Sequence, residues 1–535
     1  DLKNNAIIIE LKQWTEADIV SGKDGIVKAF VGHSLREVTH PSYQVWSYAT
    51  TIEDYNETVQ DKKIDLHPCA YLHNYLSVTP PTLLADDYKM YLEKAPVFIK
   101  GEVKKLREFI SKYIKYGDDK ETLYMLENGK IRPSKALQDT LLSMLKGNEE
   151  FVMIDDQKLA YETALGMARK SYRDGKKRVL IIKGGPGTGK SVLAINLLVK
   201  LTSENMVCSY TTKNAAPRNV YATKLSGDFR KTRINNLFKS SGFFVRIPEN
   251  EIDVLIADEA HRLNAKSGMC QNLGENQIKE IIKASKFSVF FIDESQRVTL
   301  KDIGSVEEIK KYIEQANAES EIMELESQFR CNGSDGYISW LDDVLDIRKT
   351  ANGEGFDLDY DIKICDTPNE VRDIIFEKNK INNKARLLAG YCWNWIKDGK
   401  NKSDVFDITI PEYDFAMSWN LNNSKTWAID PDSVNEVGCI HTCQGLEFDY
   451  VGVIIGDDLR YEDGKIVTDV TKRAKTDQSI RGIHKLEKQD LNKAQKIADE
   501  IIKNTYRTLM SRGQKGCYIY CVDKALANYL RERIN

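Results

Sequence analysis

The sequence predicts an α/β protein whose main body is built on parallel sheets, with a smaller α/β segment ahead of it. Three stretches carry that prediction. Val179–Ile182 is an unbroken aliphatic run, as a strand buried on both faces requires, and the glycine-rich turn Gly184–Ser191 (GGPGTGKS) follows it. Leu193, Leu197 and Leu201 then recur at helical spacing. Val254–Ala257 and Val289–Ile292 are two more apolar runs, ending in Asp258-Glu259 and in Asp293-Glu294-Ser295-Gln296. Buried strands that all end in polar residues describe one parallel sheet with its site along the carboxyl edge.

A chain of 535 residues has room for roughly three or four domains. No apolar run reaches the ~20 residues of a membrane span, and no secretory signal opens the chain. A cytoplasmic protein without a membrane partner is therefore expected. The first residue is Asp1 rather than Met, so the natural N-terminus is expected to be missing. Ten cysteines are scattered without a C-x-x-C pair. The pairs Cys439/Cys443 and Cys517/Cys521 are read as buried reduced thiols, with a metal site as the sharper alternative. A net charge of −3 excludes a globally basic surface, so any nucleic acid must lie in a local groove.

Taken in order, residues 1–115 are expected to form the first domain, 116–150 a helical linker, 151–318 the first parallel-sheet domain and 319–535 the second, with insertions. Ala6–Glu10 is an aliphatic strand that runs on into Leu11 and Lys12, giving E-x-K at its end. With Asp1 upstream, this resembles the PD-(D/E)xK nucleases. The resemblance implies that Asp1 and Glu10 offer hard carboxylate oxygens to Mg²⁺, and that Lys12, on the same strand face, orients the attacking water. Gln44 and Tyr48 stand at i, i+4 in PSYQVWSYA and resemble the Q-x-x-x-Y helix of RecB-type members, which can contact DNA. His67, Tyr71 and His73 are read as structural, and the cationic helix within 98–115 as a solvated face.

The turn Gly184–Ser191 has the spacing G-x-x-x-x-G-K-S between a strand and a helix, which is a cradle for phosphate. Backbone N–H groups at Gly185, Gly187, Thr188 and Gly189 would meet phosphate oxygens. Lys190 would neutralise the β- and γ-phosphates, and the Ser191 hydroxyl would hold Mg²⁺. Asp258 would anchor the same ion, and Glu259 would deprotonate the attacking water. Gln296 is placed to sense the γ-phosphate, and Gln157 resembles the glutamine that helicases carry ahead of the phosphate loop, which implies that it recognises adenine. Thr212, Lys213 and Asn214 close another strand, Val207–Thr212, in a polar turn suited to a nucleic-acid backbone.

Further along, LESQFR brings Arg330, CIHTCQGLEFD brings Thr442 and Gln444, and YRTLMSR brings Arg512, with Arg507 as its backup. In this order the motifs resemble those of superfamily 1 helicases. More narrowly, QFRC at 328–331 and VGCIHTCQGLEFDYVGVIIGDDL at 437–459 resemble the helicase domain of Schlafen-related proteins and a large bacterial group. The resemblance implies two RecA-like domains that close on ATP and Mg²⁺, Arg330 and Arg512 reaching across to the phosphates. It also implies a track of single-stranded or tailed duplex DNA touched by Thr442 and Gln444, with RNA not excluded. Fused to a nuclease-like segment, the arrangement resembles bacterial nuclease–helicase immunity proteins that act against phage. The alternative is an ATP-gated sensor or assembly module with an inactive nuclease fold. Trp393, Trp395, Trp419 and Trp427 are base-stacking candidates, at least two of which are expected in the core. Lys472–Lys475 is read as a solvated loop.

Overall fold

A computed structural model of the chain describes residues 4–76, 82–118, 121–127, 129, 137–148, 150–268, 272–326, 335–350, 360–396, 405–420 and 426–534. Asp1 and Arg330 lie outside the described residues, as does the QFRC string. The chain divides into two compact units, residues 1–173 with 195–201 and residues 174–194 with 202–535. No described helix is long and apolar enough to cross a membrane.

In the first unit, β1 (Asn5–Lys12) runs into a small antiparallel sheet of β2 (Ala17–Ile19), β3 (Ile26–Val31) and β4 (Ser34–Thr39). The helix Pro41–Tyr55 follows, with Pro in its first turn and the His40 ring accepting the Ser42 N–H at 3.1 Å. The chain then returns as β5 (Asp65–Leu72), parallel to β1, and β6 (Val97–Ile99) pairs with β5. Val27, Ala29, Val45, Ala70, Leu72 and Val97 join the two sheets and the helix in one core. The helix Asp155–Asp174 falls almost wholly within this unit, although the sequence reading gave it to the domain that begins at 151.

The second unit holds two lobes. The first is a sheet in the order β12-β7-β11-β10-β8-β9, parallel throughout. Its strands are β7 (Arg178–Gly184), β8 (Cys208–Thr212), β9 (Phe238–Ser240), β10 (Ile252–Asp258), β11 (Ser285–Ile292) and β12 (Glu319–Leu325). β12 corrects the expected boundary at 318/319, because residues 319–325 pair with β7 and complete the first sheet. The second lobe's sheet has the order β13-β21-β18-β14-β17-β16-β15. It comprises β13 (Asp361–Ile364), β14 (Ala385–Ala389), β15 (Ile408–Ile410), β16 (Phe415–Trp419), β17 (Glu436–Gly438), β18 (Phe448–Ile455) and β21 (Gly513–Cys521). Only the edge pair β15–β16 is antiparallel. The expected insertion is a hairpin of β19 (Leu459–Glu462) and β20 (Lys465–Thr468).

Candidate nucleotide site and its neighbours

β7 delivers the chain to the phosphate loop, and the loop's shape depends on two glycines. Gly187 and Gly189 have φ of +83° and +81°, the left-handed region that glycine enters without strain. Gly184 is needed for space, since a Cβ there would stand 2.5 Å from Thr188 Oγ1. Lys190 opens the helix Lys190–Ser203, and its Nζ donates to the carbonyls of Gly184 at 2.7 Å and Gly185 at 2.6 Å. A cationic head folded over a glycine loop at a helix N-terminus fits a phosphate chain. A cavity of about 190 Å³ beside it is lined by Lys183, Gly184, Gly185, Asp293, Glu294 and Glu324.

β10 places two acids at the loop's flank. Asp258 Oδ2 accepts the Ser191 hydroxyl at 2.7 Å and the Tyr210 hydroxyl at 2.6 Å, while Oδ1 accepts the Glu259 N–H at 2.9 Å. Burial, reinforced by the charge on Glu259, pushes Asp258 above the usual carboxylate range. Ser191 and Asp258 are the hard oxygen donors that Mg²⁺ selects. Glu259 has φ of +53°, rare for a side chain of its size, and its carboxylate lies 3.0 Å from His261 Nε2. Burial alone would raise Glu259, but His261, Lys190 and Arg512 together hold it well below the usual range. His261 Nδ1 accepts the Asp293 N–H at 3.3 Å.

The two lobes meet at this point. Gln296 donates to Asp293 at 2.6 Å and accepts from Arg512 Nη2 at 3.0 Å, so Arg512, from the second lobe, joins the network. Arg507 also crosses, donating to Ser295 Oγ at 3.1 Å while paired with Asp342. Burial opposes ionisation of Asp293, yet Lys190, Arg507 and His261 keep it below its ordinary range.

The expected nucleic-acid contacts sit differently. Gln444 has no exposed surface. Its carboxamide oxygen accepts from Arg262, its nitrogen lies 3.3 Å from His261 Nε2 and 3.3 Å from the Gln296 carbonyl, and its own carbonyl accepts from Asn214 Nδ2 at 2.6 Å. Gln444 and Asn214 therefore tie the two lobes, and Asn214 also caps the helix Ala215–Leu225. Thr212 is buried, and the Thr442 hydroxyl is taken by the Cys439 N–H at 2.9 Å. Lys213 is more than half enclosed, and burial followed by the nearby Arg262 lowers its pKa. Trp419 and Trp427 are core residues, and Trp419 stacks between Tyr391 and Trp395 at 5.5 and 5.9 Å. In the loop at 472–475 Lys472 and Lys475 are exposed as expected, but Arg473 is buried and paired with Asp477 at 2.7 Å.

In the first unit, Glu10 and Lys12 form an ion pair of 2.7 Å. Gln44 Nε2 donates to the Tyr48 hydroxyl at 2.9 Å and to Asp155 Oδ2 at 3.2 Å. Asp155 also accepts from Tyr48 and, at 3.0 Å, from Thr39. Burial first, then Asp155, and more weakly Glu10, raise the Tyr48 phenol well above its ordinary value. Gln157 turns its side-chain oxygen to the Ile154 N–H, 3.4 Å away. His67 bonds Asn5 at 2.8 Å and stacks on Tyr113, the structural role expected of it. Cys439, Cys443, Cys517 and Cys521 are buried free thiols. Among the described residues no three His, Cys, Asp or Glu side chains gather where they could hold a metal ion.

Sequence reasoning missed Tyr210, His261, Arg262 and Asp155. His261 had a signal, the string D-E-A-H that carries it two residues beyond Glu259. Tyr210 had a fainter one, standing two residues before Thr212 and so on the same strand face.

Residues 177–523 match the family described as Schlafen group 3, DNA/RNA helicase domain. An uncharacterized protein of Saccharomyces cerevisiae is 24% identical over 391 residues, covering 66% of this chain and 83% of its own. Among solved structures, the Pif1 helicase from Candida albicans aligns with 70% of this chain and 98% of its own at 11% identity, with a TM-score of 0.31. The Pif1 of a Bacteroides species in complex with ADP-AlF4 aligns with 55% of this chain and 85% of its own at 12% identity, with a TM-score of 0.25.

Proposed function

The chain belongs to the Schlafen group 3 DNA/RNA helicase family, and we propose that it is an ATP-driven motor on nucleic acid. One observation carries this reading: Lys190, Ser191, Asp258 and Glu259 sit at the strand ends of one lobe, and Gln296 ties them to Arg512 of the other. The phosphate-loop N–H groups and Lys190 bind the phosphates. Ser191 and Asp258 would hold Mg²⁺, which neutralises charge on the phosphates when bound. Glu259, kept ionised by its cationic neighbours, takes the proton of the attacking water. Arg512, with Arg330 and Arg507, stabilises charge on the γ-phosphate and makes turnover depend on how the lobes are set. The track is single-stranded or tailed duplex DNA, with RNA as the comparison arm, and Lys213 is its nearest expected contact.

The fuller reading couples this motor to a Mg²⁺-dependent nuclease in the first unit, as in bacterial anti-phage defence. The paired Glu10 and Lys12 on one strand, with Tyr48 in the field of Glu10, support it. A second reading makes the protein an ATP-gated sensor whose nuclease fold is inactive. One observation favours that reading, since Asp155 takes up the polar groups of both Gln44 and Tyr48.

A tailed duplex incubated with and without Mg²⁺-ATP separates the two. The motor displaces the strand only with ATP, and the sensor hydrolyses ATP while leaving the duplex intact. Lys12→Ala should spare nucleic-acid-stimulated hydrolysis and remove metal-dependent cleavage; equal cleavage by that variant ends the nuclease proposal.

A further inference from the structure

Asp258 receives one more hydroxyl than the phosphate-loop motif supplies, and the donor stands outside every motif in the chain. Ser191 is the familiar partner on Oδ2, at 2.7 Å; Tyr210 reaches the same oxygen at 2.6 Å. Tyr210 lies on β8 opposite Ile256 of β10, two positions before the pair Thr212 and Asp258. Its ring is 1% exposed and held edge-on by Phe238 and Tyr221, with centroids 5.6 and 6.1 Å away. Such a ring has little freedom, so its hydroxyl points one way. A buried hydroxyl donating to a buried carboxylate makes a strong, directional bond, because the local dielectric is low.

We propose that Tyr210 is a positioning residue for the metal–nucleotide site, its hydroxyl fixing the plane of the Asp258 carboxylate. This rests on the ATP-motor reading above. The two hydroxyls on Oδ2 have different duties. Ser191 belongs to the helix that follows the phosphate loop, and as a magnesium ligand it would offer the ion a lone pair, so that the ion would set the direction in which its proton meets Asp258. Tyr210 is clamped within the sheet and stays. The terminal torsion of an aspartate is soft, and the Glu259 N–H holds only Oδ1. A fixed donor on the second oxygen sets the carboxylate's orientation. Partners of this kind, one step behind the ligands, typically change metal affinity by about 10–100-fold when removed.

Tyr210→Phe tests this with little change of shape, since the ring and its contacts with Phe238 and Tyr221 remain. Binding of a fluorescent ADP analogue is titrated without Mg²⁺ and at saturating Mg²⁺, and the Mg²⁺ needed for half-maximal effect is recorded. The expected result is Mg²⁺-free affinity within about twofold of wild type and a half-maximal Mg²⁺ concentration about tenfold higher. The rise in melting temperature that Mg²⁺ adds to that of ADP alone is read in parallel. It is a difference within one variant and stays interpretable if the variant melts earlier. A purely structural Tyr210 would lower the melting temperature and leave both Mg²⁺ readouts at their wild-type values, which overturns the proposal. If ADP binding by the wild type is itself indifferent to Mg²⁺, the motor reading falls and this inference falls with it.

Discussion

Glu259 stands with φ at +53°, where a non-glycine residue persists only when its surroundings over-determine it. The structure supplies the reason: this turn lets the backbone N–H bond Asp258 while the carboxylate faces His261. Glu259→Gln keeps the size and the turn but removes the base. Nucleotide binding should persist, and phosphate release should fall by about 10²–10⁴-fold. Unimpaired turnover in that variant would reassign the base.

Two other histidines, His40 and His441, give the molecule an acid limit. Burial depresses both, to about 4 in each case. A base whose folded pKa is lowered is bound neutral, so its contribution is complete above the unfolded value of about 6.5. As pH falls from about 6.5 towards 4 the unfolded chain takes up protons that the folded chain refuses, and stability is lost, by at most about 3 kcal/mol per histidine. Below about 4 these groups add no further slope. Urea unfolding compared at pH 7 and pH 5 should show the loss, and His40→Gln should flatten it for the first unit. An unchanged midpoint between those pH values would count against both burial assignments.

At the scale of elements, the turn that carries Gln444 acts as a tie between lobes. Gln444→Ala should leave affinity for a single-stranded oligonucleotide within about twofold, while weakening hydrolysis and removing roughly 1–3 kcal/mol of buried hydrogen bonding. A large loss of oligonucleotide affinity with normal hydrolysis would restore Gln444 to the nucleic-acid track. What could be read in advance here follows from burial. β7, β10 and β11 lie inside the sheet, so most of their side chains are apolar, and the polar residues that end them are conspicuous. β12 is an edge strand held by backbone bonds to β7, and its sequence ESEIMEL, mostly exposed, carries no aliphatic run. The partners of Gln444, His261 and Gln296, lie some 150 or more positions away in the chain, beyond any local pattern. Arg473 was read as part of a solvated loop because its charge is legible, whereas Asp458 and Asp477, which draw it inward, become its neighbours only through the fold.

For the whole molecule, the motor reading demands that polynucleotide and nucleotide feel one another. Adding single-stranded oligonucleotide should raise phosphate release several-fold, and a tailed duplex should part only while ATP is consumed. Resting-rate hydrolysis with the oligonucleotide bound would leave the sensor reading standing. The seam between the lobes gives such cycling a physical basis. Arg262, Arg512, Arg507, Asn214 and Gln444 fasten it with amide and guanidinium groups. When fastenings of that kind let go, water steps in as a substitute partner, and the net penalty is about 1 kcal/mol each. An oily joint would resist at about 25 cal/mol for every Å² uncovered, and would stay shut. The seam carries both kinds of fastening, because Val220 and Val298 of the first lobe also join the buried apolar cluster of Ile440, Cys443 and Tyr506; in the motor proposed above, the polar share is the part that water can release and restore.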